Sequence, residues 1–223
     1  MKSLIIGFPG LSHESEKGRL EEIAGHFPDH DFKKVKYPGI TKSKENIVIP
    51  FSIEQFSKGV KIPQGYYQIG IITSSTGAAV FSHYLSEHPE LDTQINWYVA
   101  ISPFCKLNPM VITQVEQLNK TQQDLDIGES NNKVNNKKRI IPNTHLPNLL
   151  SLDANSKTCK TNIPHTLTLL GTQDSIIDLT EAENHHYKMG GHKTNIKKYN
   201  APHSLNPQST QDAIEFIREI TRP

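Results

Sequence analysis

The chain has 223 residues, with 24 Lys and Arg against 23 Asp and Glu, a formal net charge of +1. That balance asks for neither a nucleic acid nor an acidic membrane surface as partner, and a chain of this length buries roughly 70–75% of its unfolded surface, so residues 1–223 are read as a single domain. Its 11 histidines are scattered without a His-Glu-x-x-His motif, and Cys105 and Cys159 form neither a Cys-x-x-Cys pair nor a disulfide framework, which excludes the common metal motifs and fits a reducing, cytoplasmic compartment.

In chain order, the first apolar run, Ser3–Ile6, is too short for a signal peptide or membrane span and is predicted to be a strand. A helix is predicted over Glu14–His26, a strand over Phe32–Tyr37 and a helix over Ile53–Lys58, with Pro38-Gly39 and Pro63-Gln64-Gly65 as punctuation. Strand Gln68–Thr73, helix Gly77–Glu87 and strand Ile95–Ser102 follow. The last predicted elements are strand Thr166–Leu170, helix Leu179–Met189, strand Asn195–Tyr199 and helix Gln208–Thr221. This alternation predicts an α/β protein with about six mostly parallel strands flanked by helices. The unbroken apolar runs at 69–72 and 167–170 suit strands covered on both faces.

One stretch departs from the alternation. Residues 103–164 form a long polar insertion, rich in Asn, Gln and Lys, with helices expected over Val111–Leu125 and His145–Leu152. Its middle, 129–138, has too little apolar surface to order itself and reads as a mobile loop. An excursion of this length inside a compact domain points to a lid over a binding cleft, against the alternative of a surface decoration. Its polarity argues against a greasy lipase-type lid.

The chemistry is carried by three short segments. Gln68-Ile69-Gly70-Ile71-Ile72-Thr73-Ser74-Ser75-Thr76-Gly77-Ala78-Ala79 runs from an apolar strand, through small hydroxyl residues, into a Gly/Ala-lined helix start. A strand that turns sharply into a helix around one serine needs small residues on both sides of it. Centring the turn on Ser74 puts bulky Ile72 at one of those places, so Ser75 is the better apex. Taken alone, the cluster also reads as an ordinary helix cap. Downstream, Gly171-Thr172-Gln173-Asp174 and Ala201-Pro202-His203-Ser204 each follow a predicted strand. Serine, acid and histidine in that chain order make a nucleophile, an orienter and a general base.

With Leu4-Ile5-Ile6-Gly7-Phe8-Pro9-Gly10 as a fourth segment, the chain resembles the α/β-hydrolase superfamily, in its small serine hydrolase or esterase-like form, over all but the insertion. The resemblance implies Ser75 as nucleophile, His203 as base and Asp174 as orienter, with the backbone N–H groups of Phe8 and Thr76 forming an oxyanion hole. It implies no metal and no organic cofactor, and a small-molecule or acylated substrate. Thr73 stands where that family most often has glycine. Asp178 is the competing acid and is read as a helix cap; Cys105 is the competing nucleophile and is read as a buried structural thiol. His83, His88, His185, His186 and His192 are read as solvated or half-buried surface residues, while His13 and His145 lie where a loop or lid can bring them near a ligand. The function expected is cleavage of an ester or thioester through an acyl-enzyme. Acyl transfer or peptide cleavage on the same residues, and a non-catalytic binding module of the same shape, are the alternatives.

Overall fold

A computed structural model describes residues 2–11, 18–43, 45–129, 137–157 and 160–222. In chain order the elements are β1 (Ser3–Phe8), α1 (Arg19–Gly25), β2 (His30–Lys34), β3 (Thr41–Lys42), β4 (Asn46–Val48), α2 (Ile53–Ser57), β5 (Gln68–Ser74), α3 (Thr76–Glu87) and β6 (Ile95–Ile101). The second half holds α4 (Pro109–Lys120), β7 (Leu125–Glu129), β8 (Lys138–Ile141), α5 (Leu146–Leu150), α6 (Ala154–Lys157), β9 (His165–Gly171), α7 (Leu179–Lys188), β10 (Ile196–Tyr199) and α8 (Pro207–Thr221).

Six strands form one sheet in the order β10-β9-β6-β5-β1-β2, all of them parallel. These are the six strands expected from the sequence. Successive residues of a strand point to opposite faces, and here both faces are apolar. Ile5, Ile72, Trp97, Val99, Leu167 and Leu169 pack with Leu20 and Ile23 of α1 and Ala213, Ile214 and Ile217 of α8. Leu4, Ile6, Ile71, Tyr98 and Ala100 pack on the other side with Val80 and Phe81 of α3 and Ala182 of α7. Cover on both faces explains why the strands read as continuous Val/Ile/Leu runs rather than alternating ones.

The chain order creates an opening. From β1 the chain passes outward to β2, then returns to place β5 on the other side of β1. The helix after β1 lies on one face and the helix after β5 on the other. Such a reversal leaves a crevice beyond the carboxyl ends of the two strands, which is where parallel α/β sheets bind ligands. Ser75 follows the last residue of β5 at that point.

The insertion differs from its expectation. The helix expected over Val111–Leu125 ends at Lys120, and Leu125 begins a strand. β7 pairs antiparallel with β8, β8 pairs parallel with β4, and β4 pairs antiparallel with β3, giving a second, four-stranded sheet the sequence did not announce. The reason is partnership: strands this short show no period of their own, and the pairing that joins them into one sheet, β4 with β8, is between segments far apart in the chain. Ile141, Leu146, Leu149 and Leu152 are buried in the same apolar cluster as Phe8, Phe51 and Phe81. Residues 130–136, the centre of the expected mobile loop, lie outside the described residues, as do Cys159 and His13.

Two histidines also differ from expectation. His185 and His186, read as surface residues, are fully buried. Helix α7 turns that face toward the sheet, where the rings meet Tyr98 and Thr168 instead of water. His83 is nearly buried as well. No helix among the described residues is long and apolar enough to cross a membrane.

Candidate active site

The turn after β5 is built around an unusual backbone. Ser75 has φ 49°, in the left-handed region that L side chains rarely adopt, at a cost of about 1–3 kcal/mol that surrounding structure must hold. It occupies the N-cap position of α3, yet its side chain caps nothing, although a serine there ordinarily contributes about 1 kcal/mol by bonding the first helical N–H groups. The hydroxyl is turned outward instead. Gly77 explains how the turn closes: a Cβ at that position would sit 2.1 Å from the carbonyl oxygen of Phe8. The start of α3 therefore touches the end of β1 directly. Thr73, the large residue before the apex, is accommodated because its side chain points into the core, with Oγ1 3.0 Å from the hydroxyl of Tyr98.

At the rim, the structure brings Ser75, His203 and Asp174 together. His203 Nε2 lies 2.9 Å from Ser75 Oγ, and His203 Nδ1 lies 2.6 Å from Asp174 Oδ2. An ionised carboxylate can only accept, so Nδ1 carries a proton and donates it, leaving Nε2 of the neutral ring free to accept from the serine hydroxyl. The other oxygen, Asp174 Oδ1, accepts from the N–H groups of Ile176 at 2.9 Å and Ile177 at 3.3 Å. The carboxylate side chain is 0% exposed and the imidazole 22%. The buried acid is thus fully partnered, while the ring keeps an edge toward solvent. Gly171 lets the acid and histidine loops meet, since a Cβ there would lie 2.4 Å from the carbonyl oxygen of Ala201.

The competitors occupy other places. Asp178 Oδ1 accepts from Thr180 and Glu181 N–H and caps α7. Cys105 is 1% exposed, and burial pushes its thiol well above the ordinary range, away from the thiolate that a nucleophile needs. Ser74 ends β5 and is buried. His145 sits at the start of α5, with an Nδ1 that has no hydrogen-bond partner.

Phe8 is the last residue of β1, paired with Thr73 of β5, and its ring is buried against Phe81. Thr76 is the first residue of α3, a position whose N–H has no acceptor within the helix. The loop after Phe8 is held by Tyr37, whose hydroxyl donates to the carbonyl of Pro9 at 2.6 Å. A Cβ on Gly10 would lie 3.0 Å from Ser75 Cβ, so this loop passes close to the apex. Among the described residues no cluster of His, Cys, Asp and Glu has the arrangement to hold a metal ion.

Some partners of the site were not found from sequence. Ser102 Oγ donates to the carbonyl of His203 at 2.8 Å, Phe104 N–H donates to the carbonyl of Ser75 at 3.0 Å, and Arg19 Nη2 donates to the carbonyl of Ser204 at 2.6 Å. These bonds involve main-chain groups and residues remote in sequence, which no motif exposes.

No protein-family model and no curated protein sequence matches the chain. Solved structures do. A monoacylglycerol lipase from Paleococcus ferrophilus superposes with a TM-score of 0.62 at 16% identity, over 97% of this chain and 92% of that one. A soluble variant of monoglyceride lipase from Saccharomyces cerevisiae gives 0.63 at 13% identity, over 99% and 88%. Mouse α/β hydrolase domain-containing protein 10 gives 0.64 at 15% identity, over 97% and 88%. At these identities the likeness speaks to architecture, and the chain has the α/β-hydrolase fold.

Proposed function

We propose that the chain is a serine hydrolase that cleaves a carboxylic ester or thioester through an acyl-enzyme. The observation that carries this reading is the hydrogen-bonded row from Ser75 through His203 to the buried Asp174, at a strained turn on the carboxyl edge of the sheet. Fixed hydroxyl, base and orienter at a crevice are what nucleophilic acyl transfer requires.

In the first half-reaction, Ser75 Oγ attacks the substrate carbonyl while His203 Nε2 takes its proton. Asp174 holds the ring in the tautomer that can accept and stabilises the imidazolium as it forms. The carbonyl oxygen becomes negative and is received by the N–H groups of Phe8 and Thr76; one such donor is typically worth about 10²–10³ in turnover. His203 then returns the proton to the departing alcohol or thiol. In the second half-reaction, water gives a proton to Nε2 as its oxygen attacks the acyl carbon; the bond to Ser75 Oγ then breaks, Nε2 returns the proton to Oγ, and the acid is released. Two structural neighbours named as lipases make an ester the first substrate class to try. The insertion is assigned the part of a lid: it leaves β6 at the same sheet edge as Ser75, and its first turn is hydrogen-bonded to the Ser75 carbonyl.

Pre-steady-state hydrolysis of p-nitrophenyl acetate tests the reading. A burst of p-nitrophenol that scales with protein concentration, and vanishes in Ser75→Ala, is expected. A well-folded wild-type chain with neither burst nor turnover, across acyl chains from acetyl to octanoyl, would favour a non-catalytic binding role.

A further inference from the structure

We propose that Ser102 is a positioning residue for His203, a role that rests on the serine-hydrolase reading and goes beyond its three reacting side chains. Ser102 follows β6 and is 2% exposed. Its φ is 44°, the same left-handed region as Ser75. Its N–H donates to Leu169 at 2.9 Å, and its hydroxyl donates to the main-chain carbonyl of His203 at 2.8 Å. On either side of it, the carbonyl of Ile101 accepts from Ser75 N–H at 2.9 Å and the N–H of Phe104 donates to Ser75 at 3.0 Å. One turn, 101–104, therefore holds both main-chain groups of the hydroxyl residue and the carbonyl of the imidazole residue. The 2.9 Å between Oγ and Nε2 is fixed by this shared support.

The histidine loop needs such support. Ala201 and Leu205 are buried at its ends, but Pro202 and Ser204 are exposed and the His203 side chain is only partly covered. Side-chain packing alone does not locate its middle. Hydrogen bonds do so from two directions: Ser102 holds the carbonyl of His203, and Arg19 of α1 holds that of Ser204. The backbone at 102 makes the choice of residue informative. Glycine would adopt φ 44° without penalty, whereas an L residue is strained there. What serine adds there is a donor aimed at the loop. A misplacement of about 1 Å at such a base can cost up to about 10²-fold in rate.

Ser102→Gly separates positioning from stability, because it removes the donor while relieving the backbone. Wild type and variant are compared by the second-order rate of labelling with a fluorophosphonate, by kcat and KM for p-nitrophenyl acetate per titrated site, and by thermal melting. The expected result is labelling about 10- to 10²-fold slower, kcat reduced in proportion, KM unchanged, and a melting temperature equal to or above that of wild type. Ser102→Ala, which keeps Cβ and loses only the hydroxyl, gives the same kinetic result and serves as the test if the glycine variant does not fold. Labelling of either folded variant within twofold of wild type overturns the proposal while leaving the serine-hydrolase reading intact. A wild-type chain that takes no label overturns that reading, and this proposal with it.

Discussion

Two hydroxyl–imidazole chains leave the carboxyl end of β5. At the rim, Ser75 meets His203, which meets Asp174. In the core beneath, Thr73 meets Tyr98 at 3.0 Å, and Tyr98 meets His185 at 3.0 Å. Hydroxyl and ring are within hydrogen-bond reach in both, yet their chemical prospects differ. His203 has a carboxylate behind it and an edge toward solvent; His185 has no hydrogen-bond partner at Nδ1, is fully buried, and is held by that burial down to about 3 from an ordinary 6.5. A ring that cannot take a proton near neutral pH cannot serve as a general base there. What distinguishes the rim chain is the carboxylate paired with its ring and the partial exposure of the imidazole.

The sharpest break between the two chains is substitution of the rings. His203→Ala is expected to lower kcat for ester hydrolysis by about 10⁴-fold or more, whereas His185→Gln lowers it by less than about tenfold per folded molecule, as measured after active-site titration. Comparable losses in both would mean the inner chain shares in the chemistry. Asp174→Asn comes next, with a loss of up to about 10⁴ because the ring takes the wrong tautomer, readable as kcat at unchanged KM. Gly77→Ala then tests the close packing of α3 on β1 beside the rim chain, since its Cβ collides with the Phe8 carbonyl; a stability loss of about 1–3 kcal/mol by denaturant titration is expected, accompanied by reduced turnover.

Acid stability separates the chains by a different route. The folded protein keeps His185 neutral down to about 3, while an unfolded chain protonates it near 6.5. Its contribution to stability is therefore complete above 6.5 and is lost on acidification between 6.5 and 3, by about 1.4 kcal/mol per pH unit. His185→Gln should flatten that slope in urea titrations across pH 4–6; an unchanged slope would mean that the ring already binds a proton in the folded state. The smallest effect concerns the acid not placed at the rim. Asp178→Ala should cost about 1 kcal/mol through the lost cap of α7 and leave kcat unchanged.

How much of this could be read from the sequence depended on how local each feature is. The central strands were legible because each is a run of apolar residues bounded by turn signals, and β5 was placed from Gln68 within one residue of its end at Ser74. The rim residues were legible because each closes such a run. The small sheet was not, since Thr41–Lys42 and Asn46–Val48 are too short to show a period, and Lys138–Ile141, which pairs with Asn46–Val48, is far away in the chain. Leu125 was misassigned to a helix because the apolar spacing after Val111 persists past Lys120, where the helix ends. The inner chain was hidden for a similar reason: His185 and His186 lie on a polar stretch of α7, and only the sheet packed against it makes their burial visible. Ser102 escaped notice because its partner is a main-chain carbonyl on a remote loop.

In the proposed reaction the hydroxyl at 75 carries the acyl group between the two half-reactions. Acid-quenching the protein during turnover of p-nitrophenyl acetate, digesting it and weighing the peptides would catch the group in place. An acetyl group is expected on the peptide spanning β5 and α3, localised by fragmentation to Ser75 and absent in His203→Ala. Acetylation at Ser74, at Cys105 or nowhere, in a protein that is turning over, would contradict it.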